Sequence, residues 1–280
     1  MSGPTMTTAS DAPIVLTKHH GLGNDFLVID LAQPIGAGDW AERARRLCDR
    51  RLGVGADGLL TMKRLGDRHI EMVLHNSDGS RAEMSGNGIR CLVQAAHLAD
   101  GSPADAVYLV DTDAGRRDVA VVGAPNGATL QLRVDMGTVS DLPTPDGWET
   151  LQCHPDRPVR HVSLGNPHSV VGVDDVDAVD LGDLGGRVPQ VNLEIIEPGP
   201  ESDAITMRVH ERGAGITMAC GTGACAAAEA AKAWGLVPAS ANEVLVHMEG
   251  GDARVAVDSA TRRVTLTGPS VFVARVSVHL

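Results

Sequence analysis

The chain has 280 residues and a formal net charge of −12 at pH 7, with 43% hydrophobic and 21% charged residues. These proportions are typical of a globular protein with one or two domains. The negative charge argues against nucleic acids and anionic membranes as partners, but leaves open an anionic small substrate in a locally positive pocket. The five cysteines are odd in number and scattered, which favours free thiols in a reducing cytoplasm over a disulfide framework.

The start of the chain carries no targeting pattern. Residues 1–13 are small and polar, without the basic and apolar regions of a signal peptide, and we expect a disordered tail. No window approaches 18 uninterrupted apolar residues, so no transmembrane helix is expected.

The first half alternates short strands with two helices. Asp39 to Glu42 has the spacing of a capping box and predicts a helix to about Arg51, with Gly53 placed to end it. Residues 85–88 open a second helix that continues through residues 92–98. A nucleotide-binding loop at residues 53–58 is disfavoured, because it lacks the P-loop lysine and a strand–loop–helix context. The strands predicted here are 14–16, 26–29, 59–62, 69–74, 107–111 and 118–122, with a glycine-rich turn at 18–25.

The second half is richer in strands. Pro125-Asn126-Gly127 breaks the pattern and predicts a domain boundary. A further helix opens at residues 220–223 and continues in an alanine-rich run. About a dozen short strands with few helices predict an α+β fold. The strands predicted in this half are 130–136, 159–164, 190–195, 205–209, 244–248, 253–257, 264–266 and 271–278, with a turn at 165–169.

Cys220 is the most suggestive single residue. It directly precedes Gly221 at the start of the alanine-rich helix, where free backbone N–H groups and the helix dipole favour a thiolate and a bound carboxylate. A buried structural cysteine remains the alternative at this point. A redox pair with Cys225 is disfavoured, because residues five apart in a helix point to different faces.

Two signals recur in the same order along the chain. Leu22-Gly23-Asn24 returns at 164–166, and Ser85-Gly86-Asn87-Gly88 returns as Cys220-Gly221-Thr222-Gly223. This predicts duplicated halves, whose facing helix N-termini clamp one carboxylate with residues 85 and 220 on opposite faces. Inverting a stereocentre by proton transfer needs a base on one face and an acid on the other. The sequence carries no nicotinamide, pyridoxal or metal motif, so we expect no cofactor and no metal.

On these residues the chain resembles the diaminopimelate epimerase family, the cofactor-independent two-base epimerases of lysine and cell-wall biosynthesis. The resemblance runs over essentially the whole chain from about Ile14. It is carried, in family order, by Lys18–Phe26, Asn76 with Asp78-Gly79, Ser85–Gly88, Gly165–His168, Asn192–Glu194, Arg208–Gly215 and Ala219–Cys225.

The resemblance implies two pseudo-symmetric domains, each a β-barrel-like sheet around a central helix. One would comprise residues 14–126 and 267–280, and the other residues 127–266. It also implies a cytoplasmic isomerase acting on a small amino acid, with no nucleic-acid or membrane partner. A homodimer is left open.

The resemblance further assigns roles to individual residues. Cys220 would be one catalytic acid–base residue, and Ser85 stands at the position of the other. His168 and Glu211 would tune the acid–base groups. The N–H groups of Gly86, Asn87, Gly221 and Thr222 would hold the reacting carboxylate, and the rest of the substrate would bind to Asn24, Asn76, Asn166, Asn192, Glu211 and Arg212.

Ser85 departs from the family pattern, in which this position is a cysteine. A serine hydroxyl is a far weaker acid than a thiol, and Cys91 lies too far along the helix to replace it. We therefore expect epimerisation of LL- to meso-diaminopimelate to be impaired. The alternatives are a racemase, epimerase or dehydratase for another amino acid and a catalytically silent amino-acid-binding homologue. Ile216 stands where the family usually has Glu, and Gly58 stands where the family often has a side chain that contacts the substrate.

Overall fold

The computed structural model of the protein describes residues 13–279. The tail expected at residues 1–13 therefore lies outside the described residues, except for Pro13. The helices are α1 Trp40–Cys48, α2 Gly86–Ala99, α3 Leu181–Arg187 and α4 Gly221–Trp234, with a 3₁₀ turn at Trp148–Leu151. The strands are β1 Ile14–Gly21, β2 Asn24–Asp30, β3 Gly58–Gly66, β4 His69–Asn76, β5 Arg81–Ala82, β6 Val107–Thr112, β7 Gly115–Asn126, β8 Thr129–Thr138, β9 Ser140–Asp141, β10 Val159–Ser163, β11 Pro167–Gly172, β12 Asn192–Pro198, β13 Ala204–Glu211, β14 Gly215–Thr217, β15 Glu243–Met248, β16 Gly251–Val257 and β17 Arg263–Val278.

Eight strands, six from the first half of the chain together with β8 and β17, close into a barrel around α2. The pairing runs β1–β2–β3–β4–β6–β7–β8–β17 and returns to β1. Helix α2 is buried from Gly86 to His97, because the surrounding strands cover it on all sides. Closure leaves this ring without an exposed sheet edge.

The second half repeats the arrangement around α4. Its strands pair in the order β9–β10–β11–β12–β13–β15–β16–β17. The ring closes because β17 pairs with β8, and β9 follows β8 directly in the chain. Parallel pairs occur at matching places, at β2/β3 and β4/β6 in the first ring and at β11/β12 and β13/β15 in the second. The predicted α+β fold, with two pseudo-symmetric barrel-like halves around central helices, is confirmed.

Strands β8 and β17 belong to both rings. Arg263 to Val271 of β17 pair with Thr129 to Thr138 of β8, and the rest of β17 pairs with β1. The division into residues 14–126 with 267–280 and residues 127–266 stays a proposal, since two strands serve both halves.

Several local predictions are wrong. The turn predicted over residues 18–25 is only Leu22-Gly23, whose φ angles of 55° and 83° suit a two-residue hairpin, and its flanks are strand. The turn predicted at residues 165–169 ends early, and His168 lies inside β11. The segments 264–266 and 271–278 form one strand. Helix α1 ends at Cys48, before Arg51.

Within residues 13–279, no helix has the length and apolar character needed to cross a membrane.

Candidate active site

Two helices begin in the same way at the junction of the rings. Ser85 and Cys220 both have extended backbone and cap their helices, α2 and α4. Ser85 Oγ accepts a hydrogen bond from Gly88 N at 3.0 Å, and Cys220 Sγ accepts one from Gly223 N at 3.3 Å. A serine at this position therefore keeps the helix cap, whatever it does to the chemistry.

The two N-termini meet backbone to backbone at Gly86 and Gly221. A Cβ on Gly86 would lie 3.1 Å from Gly221 Cα, and a Cβ on Gly221 would lie 3.0 Å from Gly86 Cα. Helix geometry leaves the first N–H groups of each helix without a partner in that helix. The structure thus brings the predicted clamp residues Gly86, Asn87, Gly221 and Thr222 together, and the two positive helix ends can hold one carboxylate.

Cys220 is 4% exposed and lies between hydrogen-bond donors and acids. Its sulfur lies 3.4 Å from Thr222 Oγ1. Burial, and then the charges of Glu211 and Glu194, raise the pKa of Cys220 well above its usual value, while Thr222 and Gly223 oppose the change. The sequence-based expectation of a lowered thiol pKa is wrong, because desolvation outweighs the helix terminus.

Glu211 is the carboxylate that faces the Cys220 thiol. It accepts a hydrogen bond from Thr217 Oγ1 at 2.5 Å. Burial raises the pKa of Glu211, and Thr217 and Cys220 counteract that shift. Glu211 is therefore placed to receive the proton of Cys220, which would leave the sulfur as a base.

A chain of hydrogen bonds reaches Cys220 from the other side. His168 Nδ1 lies 2.6 Å from Glu194 Oε1, and its Nε2 lies 3.0 Å from Asn166 Oδ1. Asn166 Nδ2 donates to Thr222 Oγ1 at 3.2 Å, and Thr222 contacts the sulfur. His168, predicted as a tuning residue, thus reaches Cys220 through Asn166 and Thr222.

The other predicted binding residues surround these helix ends with different roles. Asn24 donates to Asp57 and accepts from Asn87 Nδ2, which also bonds to Ala219 O and so links the halves. Asn192 Oδ1 accepts from the backbone N of Arg212, whose side chain is exposed.

The two departures from the family pattern lie on different strands. Gly58 begins β3 and pairs with Asn76 of β4, whose side chain donates to Ser80 Oγ. Ile216 is 48% exposed in β14.

The first ring has apolar residues at the positions of His168 and Glu194. In the first ring Phe26 pairs with Gly58, as His168 pairs with Asn192 in the second, and two residues further on Leu60 matches Glu194. Cys91 does not replace the missing thiol, because it is fully buried and burial raises its pKa to about 12. Cys220 and Cys225 are both free thiols.

A family model described as diaminopimelate epimerase matches residues 16–142 and 160–273. The chain belongs to the diaminopimelate epimerase family. The diaminopimelate epimerase of Rippkaea orientalis is 36% identical over 93% of this chain and 97% of its own length. That of Thermosynechococcus vestitus is 37% identical over 91% of this chain and 96% of its own.

Solved structures share the fold at low sequence identity. A predicted epimerase from Pseudomonas aeruginosa matches with a TM-score of 0.74 at 15% identity, covering 95% of this chain and 99% of its own. A probable proline racemase from Agrobacterium radiobacter with bound carbonate matches with a TM-score of 0.64 at 18% identity, covering 95% and 93%. Family membership makes this chain an isomerase of the epimerase class.

Three residues around the candidate site were missed as functional candidates. Glu194 interrupts an apolar predicted strand, and Arg90 interrupts an apolar helix, so each offered a visible signal. Arg90 is fully buried and bonds to Gly86 O, Asn87 Oδ1 and Pro269 O, which ties the start of α2 to β17. Thr217 gave no local signal, because its role depends on Glu211 lying opposite.

Among residues 13–279, no cluster of three His, Cys, Asp or Glu is arranged to hold a metal ion.

Proposed function

We propose that this protein acts on diaminopimelate, interconverting its LL and meso forms by proton transfer at the α-carbon, and that Ser85 slows the net inversion. The relatives supply the substrate class, since they are diaminopimelate epimerases. The enzyme would work in the cytoplasm on this small-molecule substrate.

The observation that carries the proposal is the meeting of two helix N-termini with Cys220 on one and Ser85 on the other. A carboxylate held by both helix ends makes the α-proton more acidic, because the N–H groups stabilise the charge that develops as the proton leaves. Cys220, once its own proton has passed to Glu211, removes the α-proton from one face. The Ser85 hydroxyl on the opposite face is a poor acid and a poor base, so reprotonation there is slow.

This mechanism predicts exchange without matching inversion. Incubating each isomer in deuterated water should give rapid α-deuterium uptake from the isomer whose α-proton faces Cys220, with net epimerisation at least about 100-fold slower. Mass spectrometry and chiral chromatography follow the two quantities. Equal rates of exchange and inversion from both isomers would show that Ser85 is no handicap.

Restoring the second thiol is the complementary test. Ser85→Cys should raise epimerisation by about 100-fold or more, since it supplies an acid and base on the second face. Ser85→Ala is the matched control and should leave exchange at Cys220 active while lacking the second-face group. No gain in the Ser85→Cys variant would mean that the substrate or the site is misassigned.

A binding protein without catalysis is the second candidate, and the serine at position 85 is the observation that favours it. It predicts diaminopimelate binding by calorimetry with no deuterium uptake, in the wild-type protein and in Ser85→Cys alike.

A one-base reaction on another amino acid predicts turnover of that amino acid but no binding of diaminopimelate.

A further inference from the structure

Glu194 and His168 form a buried pair, and the text so far assigns a role only to His168. Both side chains are 0% exposed, and Glu194 Oε1 lies 2.6 Å from His168 Nδ1. The second oxygen, Oε2, has no hydrogen-bond partner in the part of the chain that is described. The pair lies directly under α4, since a Cβ on Gly223 would lie 2.7 Å from Glu194 Oε1.

The orientation of Asn166 fixes where the protons of the pair lie. Its Oδ1 faces His168 Nε2, so Nε2 must carry a hydrogen and donate. Nδ1 then either accepts from a protonated Glu194 or, in an imidazolium, donates to the carboxylate. Both states hold one proton in addition to the Nε2 hydrogen, shared between Glu194 and His168.

That shared proton decides the direction of the hydrogen bonds beyond it. With Nε2 donating to Asn166 Oδ1, Asn166 Nδ2 donates to Thr222 Oγ1, and the Thr222 hydroxyl keeps its own hydrogen for the Cys220 sulfur. If the pair lost its proton, Nδ1–H would bond to the carboxylate and Nε2 would become an acceptor. Asn166 would then turn over, Thr222 would donate to it, and the sulfur would lose a donor.

We propose that Glu194 is a positioning residue for Cys220, holding with His168 the proton that directs the Thr222 hydroxyl to the sulfur. The catalytic meaning of this role rests on the proposed function, but the hydrogen-bond chain does not. Burial raises the pKa of Glu194, which favours retention of a proton by the pair. The titratable groups that face Glu194 are His168 on β11, Glu211 on β13 and Cys220 at the start of α4.

The first ring has no charged residue at the positions equivalent to Glu194 and His168. Leu60 occupies the place of Glu194, and Phe26 that of His168. Both are buried and apolar. Within residues 13–279, the half that contains Cys220 carries the buried pair and the half that contains Ser85 does not.

Alkylation of Cys220 tests the proposal without a substrate. The thiolate is the reactive form, so the rate with iodoacetamide at pH 7, followed by peptide mass spectrometry, reports its fraction. Cys153 is half-buried and packs against Leu193 and Ile195, on the face of β12 opposite to Glu194, and it serves as the internal reference. Both substitutions at Glu194 remove the charge that raises the pKa of Cys220, so the comparison between them isolates the hydrogen bond to His168 Nδ1. Glu194→Gln keeps an N–H that can donate to Nδ1, whereas Glu194→Leu should react about tenfold more slowly at Cys220 than Glu194→Gln does.

A double-mutant cycle identifies the route. Thr222→Val removes the last donor, so adding Glu194→Leu to it should cause no further loss if Glu194 acts through Thr222. Equal losses on both backgrounds would overturn the proposal, as would a Glu194→Gln rate as low as that of Glu194→Leu. Glu194→Met provides a second apolar variant should the leucine variant not fold.

Substrate exchange then separates this proposal from the proposed function. With diaminopimelate, Glu194→Leu should lower the kcat of α-deuterium uptake about tenfold while KM changes less than about threefold, because Glu194 is not part of the carboxylate clamp. Slower alkylation without any wild-type exchange would support the positioning role and refute the epimerase proposal. An alkylation rate in both apolar variants as high as that of Glu194→Gln would refute the positioning role.

Discussion

At the residue scale, the chemistry depends on where one proton lies between Cys220 and Glu211. Burial raises the pKa values of both groups, so neither ionises easily in the substrate-free protein. Thr217 donates to Glu211, Gly223 donates to Cys220, and the Thr222 hydroxyl lies 3.4 Å from the sulfur, so each ionised form has a hydroxyl or backbone donor beside it. A bound α-ammonium would favour ionisation further, because a nearby positive charge lowers the pKa of an acid.

Thr217→Val should move the acid limb of the exchange reaction. Glu211 must be ionised to take the thiol proton, and loss of the Thr217 donor raises a pKa that burial has already raised. The acid limb of kcat/KM should therefore shift to higher pH by about one unit, with rates converging on the alkaline side. The pH profile of α-deuterium uptake measures the shift, and Thr217→Ser, which keeps the hydroxyl, should leave it in place. An unshifted profile in Thr217→Val would mean that Glu211 does not accept the proton.

At the element scale, the contact between α2 and α4 depends on two glycines. Gly86→Ala and Gly221→Ala should each cost about 1–3 kcal/mol of unfolding free energy, because the new Cβ meets opposing backbone that cannot rotate away. They should also weaken binding of the substrate carboxylate, since the two sets of N–H groups are pushed apart. Urea denaturation and calorimetry measure the two effects.

Gly186→Ala is the control for those substitutions. Gly186 also lies in a helix, α3, but a Cβ there meets nothing within 4 Å, and its φ is not in the left-handed region. Alanine should be neutral or slightly stabilising at this position. Comparable losses in all three variants would show that the α2–α4 contact is not what the glycines protect.

The elements predicted correctly are those specified by nearby residues. Helix α1 has its cap at Asp39, and α2 and α4 begin at cap residues followed by glycine, so local sequence was enough. Helix α3 was missed because its three glycines lower helix propensity. It forms by packing on β13, where a Cβ on Gly185 would overlap the ring of His210.

The sequence motifs predicted the residues at the two helix starts but not the residues that surround them. Ser85 and Cys220 as opposed caps follow from the repeat, but the role of Glu194 does not. Glu194 meets His168 only because β11 and β12 pair in parallel with His168 opposite Asn192. The raised pKa of Cys220 was missed for a similar reason, since burial is a property of the folded core and not of the helix start.

At the scale of the whole molecule, the two rings are built as one body. Strands β8 and β17 pair with each other, β17 also pairs with β1 of the first ring and β16 of the second, and β8 also pairs with β7 of the first. One apolar core includes residues of α2 and of α4, and Asn87 of one half bonds to Ala219 of the other. A site assembled from both helix ends needs this continuity, because small relative movement of the halves would separate the clamp.

The shared strands predict that both halves unfold in one transition. Trp40 packs in the first half and Trp234 ends α4 in the second, so each reports on one ring. In Trp148→Phe/Trp234→Phe only Trp40 fluoresces, and in Trp40→Phe/Trp148→Phe only Trp234 does. In each variant the fluorescence midpoint in urea should coincide with the circular-dichroism midpoint of the same variant, because neither ring can keep its closing strand once the other opens. Comparison within a variant removes any effect of the substitutions on stability. Fluorescence that changes at a different urea concentration from circular dichroism would show that the rings unfold separately, and that the clamp joins two independent domains.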